Sequence, residues 1–427
     1  MRVLFIDPFG DVLALVLRAQ KAGHEVVHYI DPGKKWNLVG KGLVKRTGDF
    51  KQYIRWADLV VLADNSKHLV HIDRARKEFP GKVFFGANVE GAGLEQDRQI
   101  GMKFLEDHGI KCPATKLCTS YEQAVAYVKK RDDRLVSKPC GDADKSLSYC
   151  SKGPEDMLFM LEKWKKSGKI KDKFILQDFI PGVEFAVGSY MGRNGFAGGW
   201  EENFEHKKLM PGEIGTTTGE MGTVLRISAK SKLADKVLDP LEADLVKMGF
   251  LGDIDVNCIV DERGTPWPLE FTSRLGFPAV QIQLPLMPDD PVTWMYELAK
   301  YGTEPKFIQE KVCCGVSLCL APFPYEAGPL ELVVDFPVFG LTPYNIKDIH
   351  PYHLQKGRDT EWATAGQYAA VVTGQSDTVS GAAENAYRTL SQINIPGDTL
   401  YRNDIGKKLS KLLPDLQKHG YAKGWKY

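Results

Sequence analysis

Polar side chains recur at every second position near residue 255. Asp253, Asp255 and Asn257 alternate with Ile254, Val256 and Cys258, and Glu270 and Thr272 repeat the spacing beyond a Glu262–Arg263–Gly264 turn. In a strand, period two sends alternate side chains to one face. Strands over 253–261 and 266–272 would therefore present a row of oxygen donors on a hairpin. Hard oxygen donors suit Mg²⁺, or Mn²⁺, which takes one or two carboxylates and completes its shell with phosphate and water. Any half-solvated sheet shows the same alternation, so the pattern alone leaves both readings open. Arg274 follows two residues after Thr272, and a guanidinium can hold a carboxylate or phosphate with two prongs.

Three other segments carry candidate chemistry. Lys138 ends the apolar run RLVSKP, where a strand-end ammonium could meet nucleotide phosphates. The following loop, 139–148, has the single glycine Gly141 and matches a phosphate-cradling nest poorly. The segment FILQDFIPGVEF (174–185) sets Gln177, Asp178 and Glu184 in an apolar frame, which suits one wall of an adenine pocket. His206, Lys207 and Lys208 precede GTTTGEMG (215–222), a polar glycine-rich stretch of the kind that closes over charged substrates. Each feature taken singly also describes an ordinary surface. There is no GxSxG, P-loop, CxxC or ordered Ser/His/Asp set. The eight cysteines, with no histidine cluster near them, read as thiols in a reducing compartment.

The elements that must hold these residues follow from periodicity. Apolar runs at 2–7, 25–31, 57–64 and 82–88, with a helical pattern at 12–22, predict a doubly wound parallel α/β domain over residues 1–93. Residues 94–305 read as α+β, with helices at 97–108, 121–131, 154–167 and 229–248, a strand pair at 174–180 and 183–191 turning at Pro181–Gly182, and a loop over 202–223. Residues 306–427 read as β-rich, with one helix at 377–391 and a basic tail holding Arg402, Lys407, Lys408 and Lys411. A net charge of +1 gives little reason to expect nucleic acid or an anionic membrane as the main partner. No apolar stretch is long enough to cross a bilayer, and the first strand leaves no room for a signal peptide, so a cytoplasmic protein is expected.

The order of these segments resembles the ATP-grasp superfamily, and within it phosphoribosylamine–glycine ligase. The similarity runs through DRQIGMKFLEDHGIKCPATKLCTSYEQAVAYV, RLVSKPCGD, FILQDFIPGVEF, HKK with GTTTGEMGT, VDERGTPWPLEFTSRLGFP and AAENAYRTLSQINIPGDTLYRNDIG. The resemblance implies an ATP-grasp architecture of α/β and α+β domains with a β-rich C-terminal part. It implies that Lys138, Arg98 and Lys145 contact phosphates, with Lys207 nearby. Gln177 and the backbone at Phe179 and Ile180 would read adenine, and Glu184 would hold the ribose. Glu270, Thr272 and Asn257 would bind the metal. His206, Thr217, Thr218 and Gly219 would line the substrate loop, and Arg274 would hold the carboxylate or transferring phosphate. ATP, Mg²⁺, a small carboxylate and an amine are the implied ligands, in a monomer or homodimer.

The chain also departs from that pattern. A Gly-rich turn with Gly-Gly-Arg-Glu-His is replaced by DPFGDVLAL (7–15), with Asp7 and Asp11 and no basic residue. Arg98 stands for a lysine, Thr272 for an asparagine, and Phe277–Pro278–Ala279 for Asp-Pro-Glu. The expectation is a ligase that activates glycine or another amino acid and uses an amine other than phosphoribosylamine. The alternatives are phosphoribosylamine–glycine ligase itself, a non-catalytic nucleotide-binding protein, and a ligase acting on a nucleotide or base amine.

Overall fold

A computed structural model describes residues 1–33, 37–140, 148–168, 173–325 and 330–427. At the N-terminus, strands Arg46–Thr47, Glu25–Tyr29, Arg2–Ile6, Leu59–Leu62 and Val83–Phe85 pair in that order, all parallel. Leu4, Ile6, Val27, Val60 and Leu62 enter one core, while Val3, Phe5, Val26, Leu59 and Val61 enter another. Both faces are covered, which is why these strands read as unbroken apolar runs. The turn at Asp7 lies at the C-terminal end of the central strand, the end where open α/β sheets place their ligands.

Next come four antiparallel strands in the order Thr115–Cys118, Phe174–Asp178, Leu135–Pro139 and Tyr149–Cys150. Helices Tyr121–Val128 and Pro154–Lys166 cover one face, where Cys118, Leu135, Phe174 and Leu176 meet Ala124, Val128, Met157 and Leu161. Register places Val136 opposite Gln177 and Lys138 opposite Ile175, so these four share the uncovered face.

The third sheet is antiparallel and has nine strands. Its main path runs Pro266–Thr272, Gly252–Val260, Val183–Met191, Trp200–Glu205, Gly222–Ser228, Val312–Leu320, Tyr368–Ser376 and Ile349–Pro351. Phe185, Val187, Ile254, Val256, Cys258 and Phe271 point into the core on one face. The sheet continues unbroken across residues 305 and 306, because Val312–Leu320 pairs with Gly222–Ser228.

Four sequence expectations are corrected. The predicted pair 174–180 and 183–191 is a crossover, not a hairpin: Phe174–Asp178 belongs to the four-stranded sheet and Val183–Met191 to the nine-stranded one. The stretch 202–223 is largely strand, comprising Trp200–Glu205, the small pair Lys208–Met210 and Ile214–Thr217, and the start of Gly222–Ser228. Its polar residues face a cleft, which makes it look like a loop. The predicted helix 229–248 is split into Ala234–Val237, a 3-10 turn Asp239–Leu241 and Glu242–Met248, since Pro240 removes a helical N–H and crowds the preceding turn. The basic tail contains a further helix, Leu409–Gln417, whose Leu409, Leu413 and Leu416 are buried.

Candidate functional site

The uncovered face of the four-stranded sheet looks across a cleft at the polar face of the nine-stranded sheet. Register sets Asn257 beside Glu270 and Asp255 beside Thr272, so the alternation seen in the sequence does create one polar surface. Lys138 bridges the cleft, its Nζ 3.5 Å from the Leu269 carbonyl. Burial lowers the Lys138 ammonium to about 8, with Glu270 pulling it back up. Arg98 opens the helix Arg98–Asp107 behind an Asp97 cap and places Nη1 2.5 Å from Glu270 Oε2. Lys207 Nζ lies 2.6 Å from Glu205, 3.2 Å from Glu184 and 3.7 Å from Glu270.

These charges set each other's protonation. Burial alone would raise Glu270, but Arg98, Lys207 and Lys138 together hold it well below the usual carboxylate range. Burial opposes the ionised form of Glu184 too, and Lys207, the Asn257 amide and Lys408 outweigh it. Asn257 Nδ2 donates to Glu184 at 2.8 Å and to Glu205 at 2.9 Å. Its Oδ1 is buried without a partner, an acceptor left for a ligand. Lys138, Arg98, Lys207, Glu184, Asn257 and Glu270 thus form one cluster, with Thr272 on the same face. Hard oxygens at Glu270, Asn257 and Thr272 beside three cations fit a magnesium-bound polyphosphate. Lys145 lies outside the described residues.

Gln177 is buried under the same cleft and donates Nε2 to Thr115 Oγ1 at 3.0 Å, so its carbonyl oxygen is the end left for a base. Of the expected backbone readers, the Phe179 N–H is already bonded to the Arg134 carbonyl at 3.1 Å. That leaves the Phe179 carbonyl and the Ile180 backbone. The Arg134 guanidinium stacks 3.6 Å above the Phe179 ring and stiffens the crossover.

The substrate loop is only partly as expected. His206 is fully buried, and its Nε2 accepts the Gly406 N–H at 3.1 Å. Burial, with Lys408 and Arg402 nearby, keeps it neutral. Fully buried and bonded to Gly406, it anchors the closing Arg402–Gly406 segment. Thr218 is buried and donates Oγ1 to the Lys207 carbonyl at 2.9 Å, and Thr217 Oγ1 accepts from Lys208 Nζ at 3.0 Å. Both hydroxyls brace the small strand pair, whereas Gly219 is exposed. Buried Arg402 ties that pair down through the Lys208 carbonyl at 3.0 Å, Glu213 at 2.8 Å and Asp404 at 2.8 Å.

Arg274 belongs to a second cluster. Its Nε lies 3.2 Å from Glu95 and its Nη1 donates to the Leu275 carbonyl at 3.2 Å. Glu95, Asp64 and Asp11 raise its basicity against burial. Nearby, fully buried Asp7 accepts backbone N–H bonds from Gly10 at 3.0 Å, Asp11 at 2.8 Å and Val12 at 3.0 Å, and His28 Nε2 lies 2.9 Å away. The amides of the turn that leads into the helix Leu13–Lys21, which could otherwise bind an anion, are filled by the protein's own carboxylate. Asp11 accepts the Tyr352 hydroxyl. Burial and then Asp7 push the Asp11 carboxyl up to about 7, against Tyr352 and Arg274. Phe277 packs on Tyr352 with ring centroids 4.2 Å apart.

Sequence reasoning missed Glu95, Glu205 and the companion row Glu201 and Asn203. Glu201, Asn203 and Glu205 show the same period-two spacing as Asp253, Asp255 and Asn257, and a strand assignment there would have found them. Glu95 has no local signal, because it reaches Arg274 only through the tertiary fold.

Residues 97–279 match the family model for the ATP-grasp (A) domain of phosphoribosylglycinamide synthetase. The phosphoribosylamine–glycine ligase of Listeria innocua serovar 6a is 27% identical over 354 residues, covering 78% of this chain and 80% of that protein. In fold, the chain is similar to the phosphoribosylamine–glycine ligase of Thermotoga maritima, with a TM-score of 0.75 at 20% identity over 95% of this chain and all of that one. It is also similar to a biotin carboxylase from Campylobacter jejuni, with a TM-score of 0.66 at 11% identity over 98% and 97% of the two chains. With two sheets enclosing a cleft of paired charges, residues 97–279 match an ATP-grasp (A) domain, and the chain as a whole is similar in sequence and fold to phosphoribosylamine–glycine ligases.

Proposed function

We propose that the chain activates an amino acid, glycine or another, as an acyl phosphate and joins it to an amine other than phosphoribosylamine. The observation that carries this reading is the convergence of Lys138, Arg98 and Lys207 on Glu270 in the cleft. Lys138 and Arg98 would hold the nucleotide phosphates, Glu184 the ribose, and Gln177 with the crossover backbone the adenine. Glu270, Asn257 and Thr272 would hold Mg²⁺, which supplies charge neutralisation when bound. The site then works by positioning and charge, without a protein nucleophile. A substrate carboxylate oxygen bonds to the γ-phosphorus as ADP leaves. The amine nitrogen bonds to the acyl carbon as phosphate leaves, and the nitrogen gives up a proton. Asp7 supports the second half of the reading, since its carboxylate occupies the turn amides that a phosphoribosyl group would need.

The test is ADP release from Mg·ATP across a panel of amino acids, with hydroxylamine present to trap the acyl phosphate. One amino acid should yield a hydroxamate together with ADP and not AMP. No hydroxamate and no ADP from any of them, with or without added amines, would overturn the reading. The names of the relatives favour a second reading, phosphoribosylamine–glycine ligase itself. Formation of glycinamide ribonucleotide from glycine and phosphoribosylamine would establish it in place of the first.

A further inference from the structure

Two stretches of chain meet twice, with opposite charges each time. Glu95 and Arg98 flank the junction where the helix Val89–Gln96 gives way to Arg98–Asp107. Glu270 lies near the end of the strand Pro266–Thr272, and Arg274 just past it. Arg98 pairs with Glu270, and Glu95 pairs with Arg274. The first pair belongs to the phosphate end of the cleft. The second has so far no purpose, and it is the more tightly built. Glu95 Oε1 accepts from Arg274 Nε at 3.2 Å, while Oε2 accepts from the Ser273 N–H at 2.8 Å and from Asn65 Nδ2 at 2.8 Å. Asn65 also reaches Ser273 Oγ at 2.9 Å, and both residues are buried. One carboxylate thus fixes the backbone that precedes Arg274 and the guanidinium itself.

The helix gains nothing from this carboxylate. Glu95 stands in the last turn of Val89–Gln96, where the helix dipole favours a cation. Its place is explained by its partners. The junction is also held close to the strand. A Cβ on buried Gly101 would collide with the Leu94 carbonyl oxygen and lie 3.2 Å from the Phe271 ring, so glycine lets the second helix seat against both the first helix and the strand. What remains of Arg274 follows from this grip. Its Nε is committed to Glu95, and Nη1 donates to the Leu275 carbonyl at 3.2 Å. Among the described residues its Nη2 makes no hydrogen bond and no ion pair. A guanidinium is a rigid, flat fork. Fixing Nε on Glu95 therefore fixes the direction in which the free N–H groups are offered.

We propose that Glu95 is a positioning residue: it holds Arg274 by Nε so that the free Nη2 meets the reacting carboxylate of the substrate. Residues 95–98 then act as a spacer. Arg98 sets the carboxylate assigned to the metal, Glu95 sets the guanidinium assigned to the substrate, and the tight junction keeps the two ends of the site at a constant separation. Asn65 ties the same node to the N-terminal domain. The proposal rests on the ligase reading, which supplies the reaction in which Arg274 acts. Glutamine at position 95 isolates the effect, because it has the same shape but one oxygen and one NH₂. If its oxygen keeps Asn65 and the Ser273 N–H, its NH₂ opposes the Arg274 Nε–H. If it is turned round, its NH₂ opposes the other two donors. Either way the grip on Arg274 loosens with no change in volume.

Steady-state kinetics on the full chain test it, with Mg·ATP and the amino acid that the hydroxylamine assay selects. Glu95→Gln should lower kcat/KM for the amino acid by about tenfold or more, while the KM for ATP moves less than about twofold, because the nucleotide contacts lie at Lys138 and Arg98. In an Arg274→Ala background, Glu95→Gln should cost less than about twofold further, since the group it acts through is gone. Thermal unfolding checks that each variant is folded. Should Glu95→Gln not fold, Glu95→Asp, which shortens the reach, takes its place with the same expectation. The Arg274 Nε–H proton resonance, identified by its loss in Arg274→Ala, gives a readout without turnover and should move upfield in the Glu95 variant. Full activity of the variant, equal losses for amino acid and ATP, additive losses in the double variant, or an unmoved resonance would overturn the inference. An active parent with an indifferent Glu95 variant overturns it alone. A parent silent across the panel whose resonance moves as expected overturns the ligase reading alone.

Discussion

The cleft between the two sheets and the turn at residues 7–12 are both rich in carboxylates, but they use them in opposite ways. In the cleft, Glu184, Glu205 and Glu270 share Lys207, Lys138 and Arg98 through side-chain contacts that an incoming polyphosphate can exchange. At the turn, Asp7 is locked to three backbone amides and His28 with no exposure at all. The first arrangement is charge held ready for a ligand. The second is a ligand site closed from inside. One chain thus holds exchangeable charge in the cleft and committed charge at the turn.

The comparison breaks most plainly at the cleft. Lys138→Ala and Glu270→Ala should each lower ADP release by roughly 10²–10³-fold, the scale expected for removing one group that stabilises developing charge, while melting temperature changes little. Two fully active variants would show that the cleft charges are structural. The turn should respond in the other currency. Asp7→Asn should cost about 2–4 kcal/mol of stability in denaturant unfolding, because buried amides and His28 lose a charged acceptor. An unaltered midpoint would mean that the turn is not internally tied.

Two smaller effects sharpen the contrast. Glu184→Gln should weaken Mg·ADP binding about tenfold by calorimetry, the scale of one hydrogen bond to a charged group. An unchanged affinity would move the ribose elsewhere. Lys138, held at about 8 mainly by burial, loses its proton as pH rises through that value. Mg·ADP affinity should therefore decline a few-fold between about pH 7 and 9. The stability effect has the opposite sign. A lysine whose folded value is depressed costs stability below about pH 8, and this cost fades towards its ordinary value. A flat affinity profile would take Lys138 off the phosphates.

The parallel N-terminal sheet, the oxygen row at 253–272 and the strand-end Lys138 were legible because each rests on local periodicity that the fold preserves. The strand at 200–205 was not, since Glu201, Asn203 and Glu205 turn carboxylates and an amide into a buried cleft and so imitate a solvated loop. His206 looked like a substrate residue because its neighbours are polar, yet the fold buries it under Gly406. The partition at 174–191 into two sheets cannot be read from composition, because a crossover and a hairpin share the same Pro181–Gly182 punctuation. Glu95 and Asp7 became meaningful only when the fold set them against Arg274 and the backbone of residues 10–12.

The unbroken nine-stranded sheet has a consequence for biosynthesis. Glu184, Asn257 and Glu270 stand on strands made before residue 273, but Gly222–Ser228 has its second neighbour only when Val312–Leu320 emerges, and that strand in turn waits for Tyr368–Ser376. Until then the growing chain carries an open sheet edge ready to pair with another chain. A message cut short near codon 306 would therefore yield an aggregation-prone fragment in place of a smaller nucleotide-binding protein. The late strands act as the sheet's seal during synthesis.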